Sequence, residues 1–156
     1  MNIQIYPYST DRAAKIADLF HSAVHAINPA LYSPAEQEAW APTPVDYAFW
    51  EARLAMKKPL VAIHDQCVAG FIELEPSGHI DCFYVHPDFQ RQGIGGLLYK
   101  ALEQQAQQRA IKLLFVEASL LVKDFFLQRG FQVISQNRLE RNGEVLINFS
   151  MEKRLC

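Results

Sequence analysis

Residues 86–96 read His-Pro-Asp-Phe-Gln-Arg-Gln-Gly-Ile-Gly-Gly, with glycine at 93, 95 and 96. Glycine is a poor helix former, about 1 kcal/mol worse than alanine at an interior position. Three of them in one first turn therefore need a reason. Small residues let another group approach the backbone closely. The free N–H groups of a first helical turn carry partial positive charge and bind phosphate or pyrophosphate. Gln90, Arg91, Gln92, Gly93, Ile94, Gly95 and Gly96 thus form a candidate anion-binding segment, with Arg91 able to add a charge from the rim. A phosphate-cradling loop of the type G-x-x-x-x-G-K-[ST] is not present. A dinucleotide fingerprint needs a third glycine where Leu98 stands, directly after the first strand of a doubly wound sheet. Glu117 ends the next strand, as a ribose-binding acid would, but with a single crossover its place is read as coincidence and no NAD binding is expected.

The elements that must position this loop follow from periodicity. Residues 2–8 alternate as a strand, and Ile16, Phe20, Val24 and Ile27 recur at helical spacing up to Asn28-Pro29. Ser33-Pro34, with Glu36 close behind, starts a short helix that closes at Trp40. A further helix is expected from about Asp46 to Lys57, so residues 28–58 form an aromatic-rich helical insertion. Residues 60–64, 68–75 and 79–86 read as three consecutive strands, an antiparallel meander with turns at Asp65-Gln66 and Pro76-Ser77-Gly78. A helix over 93–109, a buried strand over 112–118 and a short helix over 121–129 ended by Gly130 come next. Strands 131–139 and 144–151 are joined by Asn142-Gly143, a strong hairpin signal. The expected fold is α/β in the α+β sense: a mixed, mostly antiparallel sheet of about seven strands flanked by helices. One parallel crossover joins 79–86 to 112–118, and residues 1–156 form a single domain.

The 156 residues carry a formal net charge of −2 with no block of like charge, which argues against a dedicated nucleic-acid or anionic-membrane surface. Cys67, Cys82 and Cys156 are odd in number and widely spaced, so neither a disulfide framework nor a metal site is expected. No signal peptide and no membrane span is expected. The chain is read as cytoplasmic, with a homodimer as an option.

The run Gln90-x-x-Gly93-x-Gly95 resembles the pyrophosphate loop of the GNAT (Gcn5-related N-acetyltransferase) superfamily, whose pattern is Q/R-x-x-G-x-G/A. Phe83-Tyr84-Val85-His86-Pro87 resembles the strand end that precedes that loop, and residues 125–131, Phe-Phe-Leu-Gln-Arg-Gly-Phe, resemble its FYxxxGF segment. Residues 32–40 are similar to the YafP-like bacterial branch. The resemblance implies an acetyl-CoA-dependent N-acetyltransferase without a metal, acting on a primary amine, expected to belong to a small molecule. It also implies that two central strands splay at a bulge. Phe83, Tyr84 and Val85 would then pair through their backbones with the pantetheine arm. Phe125 and Phe126 would pack near its acetyl end, or simply serve as core. An acyl-CoA-binding sensor and an acetyltransferase of a protein or aminoacyl-tRNA amine are the alternatives.

Acetyl transfer needs a neutral amine, a polarised carbonyl and a protonated leaving thiolate. The tyrosine that many relatives use as acid is Phe126 here, leaving Ser119, Tyr84, Tyr32 or water as substitutes. Along 79–85 strict alternation would put His79, Asp81, Phe83 and Val85 on one face. Asp81, His79 and Glu73 are the candidate bases, and Asp81 is preferred as a carboxylate in an apolar strand nearest the splay. The acceptor pocket is expected from the insertion, whose Tyr32, Trp40, Tyr47, Phe49 and Trp50 would suit a flat or amphipathic amine, with plain packing of the helices on the sheet as the alternative favoured for most of these rings.

Overall fold

A computed structural model describes residues 2–156. Its strands are β1 (Ile3–Pro7), β2 (Leu60–His64), β3 (Cys67–Leu74), β4 (His79–Val85), β5 (Leu113–Ser119), β6 (Gln132–Arg141) and β7 (Glu144–Arg154). Its helices are α1 (Ala13–His25), α2 (Pro34–Trp40), α3 (Tyr47–Lys57), α4 (Ile94–Gln108) and α5 (Lys123–Leu127). The strands form one sheet in the order β1-β2-β3-β4-β5-β7-β6. Only β4 and β5 run parallel, as the single crossover requires.

Helix α4 buries Ile94, Leu98, Leu102 and Ala106, four residues apart, against Ile72, Ile80, Leu114 and Val116 on one face of the sheet. The other face takes α1 and α3, which bury Ile16, Leu19, Trp50 and Leu54 against Val61 and Phe71. Helix α2 sits between α1 and β7, where Val24, Ile27, Tyr32 and Leu146 cluster. At the α2 start Ser33 Oγ accepts from Glu36 N–H at 3.1 Å, and Glu36 Oε1 accepts from Ser33 N–H at 2.7 Å. This is the reciprocal cap that the spacing implies. The β6–β7 turn has φ 48° at Asn142 and 85° at Gly143, the left-handed pair a tight hairpin needs.

The boundaries differ in places. Helix α5 spans only Lys123–Leu127, because Leu120 and Leu121 remain in the turn after β5, while β7 runs on to Arg154 beside the whole of β5.

The consequential departure lies in β4. Ile72 stands opposite Phe83, yet Leu74 stands opposite Ile80. Two steps along β3 match three along β4, so an extra residue is accommodated near Asp81 and Cys82. The expected single face for His79, Asp81, Phe83 and Val85 is therefore wrong. Ile80, Phe83 and Val85 pack with the α4 cluster, whereas Asp81 reaches α3, and Cys82 and Tyr84 pack with the α1–α3 cluster.

Candidate active site

Strands β4 and β5 pair only at His79–Phe115 and Ile80–Val116. Beyond that point β4 pairs only with β3 and β5 only with β7, which opens a notch in the middle of the sheet. The His86 N–H bonds to the Ala69 carbonyl at 2.8 Å, so by strand alternation the main-chain groups of Phe83 and Val85 turn toward the notch. The Val85 carbonyl accepts from Gln90 Nε2 at 3.3 Å, which ties the loop to the strand end. An extended ligand arm can hydrogen-bond in this notch as a further strand would.

The glycine loop follows directly. Pro87–Phe89 make one tight turn, Arg91 has φ 62°, and Gly93 caps α4 at φ 80°. The first helical bond runs from Leu97 N–H to the Gly93 carbonyl at 3.1 Å. The earlier N–H groups of Ile94, Gly95 and Gly96 have no main-chain acceptor among the described residues, and no side chain caps them. A first helical turn with free N–H groups is chemically suited to an anion. Gly95 has a further reason to be small: a Cβ there would lie 3.2 Å from Phe83 Cζ and 3.3 Å from Phe125 Cε2. Sequence patterning gives no hint of Arg129. Its guanidinium lies 3.5 Å over the Phe125 ring, and a Cβ at Gly96 would stand 3.1 Å from its Nη2, so a cation sits beside the start of α4. Phe126 is fully buried among Phe83, Tyr99 and Phe131, a core position, while Phe125 packs on Phe83 at the edge of the notch.

Across the sheet a cavity of about 720 Å³ lies between α1, the insertion and the strands. Phe20, Tyr32, Trp40, Phe49, Trp50 and Tyr84 give it aromatic walls, and Ser119 reaches it from β5. Tyr47 does not line it; that side chain is exposed and bonds to Asp18. Tyr32 is buried, donates to the Ile147 carbonyl at 2.7 Å and accepts from Leu120 N–H at 2.9 Å. Burial pushes its hydroxyl above the ordinary tyrosine pKa, as it does more strongly for Tyr84.

The three candidate bases differ sharply. Glu73 is fully buried and ion-paired to Arg53, with Oε1 unpartnered. Burial raises its pKa despite Arg53, but the carboxylate does not line the cavity. Asp81 does line it, and its Oδ2 receives both Arg53 Nη2 and Lys57 Nζ at 2.8 Å. Burial works to raise the Asp81 pKa, yet the bond from Lys57 and the charge of Arg53 outweigh it and hold the carboxyl below its ordinary value. His79 has Nδ1 2.5 Å from Glu75 and Nε2 2.7 Å from Glu117. Burial favours its neutral form, but the two carboxylates prevail and raise its pKa. With both nitrogens facing carboxylates, the geometry favours the doubly protonated ring, in which neither nitrogen has a lone pair to receive a proton. His79 also does not line the cavity. The oxygens of Glu73, Glu75 and Asp81 are drawn together around Arg53 and Lys57, one turn apart on α3. Those two cations, like Arg129, were not singled out from the sequence, and Glu117 was noted there but set aside as coincidence.

Residues 29–154 match a family model described as an acetyltransferase (GNAT) domain. The chain is 33% identical over 150 residues to the uncharacterized N-acetyltransferase YafP of Escherichia coli strain K12, covering 96% of this chain and 95% of that one. Among solved structures it superposes at a TM-score of 0.93 and 35% identity on a GCN5-related N-acetyltransferase from Rhodopseudomonas palustris, over 99% of this chain and 97% of that one. The PaiA N-acetyltransferase of Thermoplasma acidophilum, solved in complex with coenzyme A, has the same fold at a TM-score of 0.78 and 20% identity, over 99% of this chain and 100% of that one.

Proposed function

The chain belongs to the GNAT acetyltransferase family, and on that premise we propose that it moves the acetyl group of acetyl-CoA to the primary amine of a small molecule. The observation that carries this is the continuity of three features. An uncapped helix start at residues 93–96 leads into the β4–β5 notch, and the notch borders the aromatic-walled cavity. The pyrophosphate would lie on the N–H groups of Ile94, Gly95 and Gly96, with Arg91 and Gln92 at the rim. The pantetheine arm would run along Phe83, Tyr84 and Val85, edged by Phe125. The thioester would then face the cavity beside Ser119.

The acceptor enters as an ammonium and must lose a proton before its nitrogen attacks the carbonyl carbon. The C–N bond forms, the C–S bond breaks, and the proton shed by the new amide nitrogen balances the departing thiolate. Of the three candidates, Asp81 alone lines the cavity, and we assign it as the first proton acceptor. Glu73 and His79 serve by holding the charges around it. The enclosure by the insertion favours a small acceptor over a protein or tRNA amine. A CoA-sensing role without transfer is the second reading, favoured by Phe126, which puts no hydroxyl in the usual acid slot. Thiol release from acetyl-CoA that depends on an added primary amine supports the transferase. Tight acetyl-CoA binding with no thiol release supports the sensor.

A further inference from the structure

Seven charged side chains form one linked chain through the site. Glu73 pairs with Arg53, Arg53 with Asp81 at 2.8 Å, Asp81 with Lys57 at 2.8 Å, and Lys57 with Glu75 at 2.9 Å. Glu75 then bonds His79 at 2.5 Å, and His79 bonds Glu117 at 2.7 Å. Four carboxylates face three cations, so one negative charge stays uncompensated even with His79 protonated. A partly buried network with an excess charge attracts a counter-ion at whichever end a ligand can reach.

The two ends are not equivalent. The Glu73 end is sealed, at 0% exposure. The Glu117 end is open: its side chain is 44% exposed and lines the aromatic cavity. Glu117 gives Oε1 to His79, and its Oε2 has no protein partner among the described residues. It also stands one residue beyond Val116, the last β5 position paired with β4, and so lies at the vertex of the notch. The other acids of the cavity differ from it: Asp81 already faces two cations through Oδ2, and Asp46 caps α3 by accepting from Phe49 N–H at 3.0 Å, whereas Glu117 meets only His79.

Resting on the acetyl-acceptor reading above, we propose that Glu117 is the specificity-determining carboxylate that seats the acceptor's ammonium group, as the fourth cation of this network. His79, clamped by Glu75, is a positioning residue that fixes the Glu117 rotamer so that its free oxygen points into the cavity. The acceptor class is then a primary amine on an apolar body that packs against the ring walls of Trp40 and Trp50.

Binding tests this without turnover. Phenethylamine and its neutral isostere phenethyl alcohol are titrated into the CoA-saturated protein and followed by ligand-observed NMR. The wild type is expected to prefer the ammonium by about tenfold or more, the range of a charge-assisted hydrogen bond. Glu117→Gln is expected to bring the two probes to parity, with CoA affinity kept and folding preserved, because the side chain is half exposed. Glu117→Asp should retain part of the preference. A wild type without preference for the amine, or a Glu117→Gln protein that keeps it, overturns the proposal. Thiol release in parallel separates this from the function itself. Amine preference without transfer contradicts the transferase and leaves the ammonium seat standing, whereas transfer with a preference indifferent to Glu117 does the reverse.

Discussion

Ile80 faces Val116 as the last pair between β4 and β5, and the next residue on each strand, Asp81 and Glu117, carries a carboxylate into the same cavity. The sheet therefore opens where its two acids begin. A ligand arm that inserts into the notch would bring its reactive end to a place where a cation is attracted from one strand and a proton can be taken by the other.

The glycine loop gives the most direct test of cofactor placement. Acetyl-CoA should raise the melting temperature by binding only the folded state. Gly93 lies at φ 80°, and a Cβ added there would meet no atom within 4 Å, so a side chain has room but a strained backbone. Gly93→Asn, tolerant of left-handed φ, should keep most of the acetyl-CoA shift, and Gly93→Asp, which adds a negative charge beside the pyrophosphate, should lose it. Equal shifts in both variants would place the pyrophosphate elsewhere.

Asp81→Asn keeps the shape and removes the charge. As first proton acceptor, Asp81 predicts a fall in kcat of roughly 10²-fold, with acetyl-CoA affinity little changed. Steady-state kinetics on the variant would reject the role if kcat stayed at the wild-type value. A rise in the amine KM with kcat kept would instead make Asp81 a second ammonium contact.

The Arg53–Glu73 pair links the insertion to the sheet. Glu73 is fully buried, so Arg53→Met should cost about 3–5 kcal/mol by leaving an unpaired interior charge. The double variant Arg53→Met/Glu73→Met should recover most of that loss. Chemical denaturation of the wild type, the single variant and the double variant checks both statements. A double variant no more stable than Arg53→Met would show that Glu73 does not depend on Arg53.

His79 predicts a pH signature in stability. Burial opposes its charge, but Glu75 and Glu117 outweigh burial and raise its folded pKa above the ordinary imidazole value. A raised pKa stabilises the fold fully below the unfolded value, about 6.5, and the contribution fades as pH climbs through the folded one. The melting temperatures of wild type and His79→Gln should differ most in mildly acidic buffer and converge at alkaline pH. A gap that widens with pH would mean that the ring is neutral in the folded protein.

The helices were legible where one face is buried at a clear period, as in the spacing of Ile94, Leu98, Leu102 and Ala106, and the strands where turn residues bound them, as Asn142-Gly143 does between β6 and β7. The helix start after the glycine loop was legible because local sequence alone marks it, with Gly93 as the left-handed cap. The face of Asp81 was not. A one-residue slip inside β4 inverts the side-chain alternation beyond it, and nothing in the run His-Ile-Asp-Cys-Phe-Tyr-Val marks where the slip falls. The engagement of His79 was also hidden, since Glu117 reaches it from the next strand although Glu75 stands only four residues before it. One signal was available: Arg53 and Lys57, four apart on an otherwise apolar stretch of helix, imply a pair of cations aimed at one face.

The central claim is transfer of acetyl from acetyl-CoA to a small amine, and mass spectrometry reads it directly. The protein is incubated with deuterated acetyl-CoA and a panel of primary amines, and both the small molecules and the intact chain are weighed. An amine heavier by one labelled acetyl group, formed together with an equal amount of free CoA thiol and absent with heat-denatured protein, is the expected result. Tight acetyl-CoA binding with no labelled amine and no thiol released would contradict it.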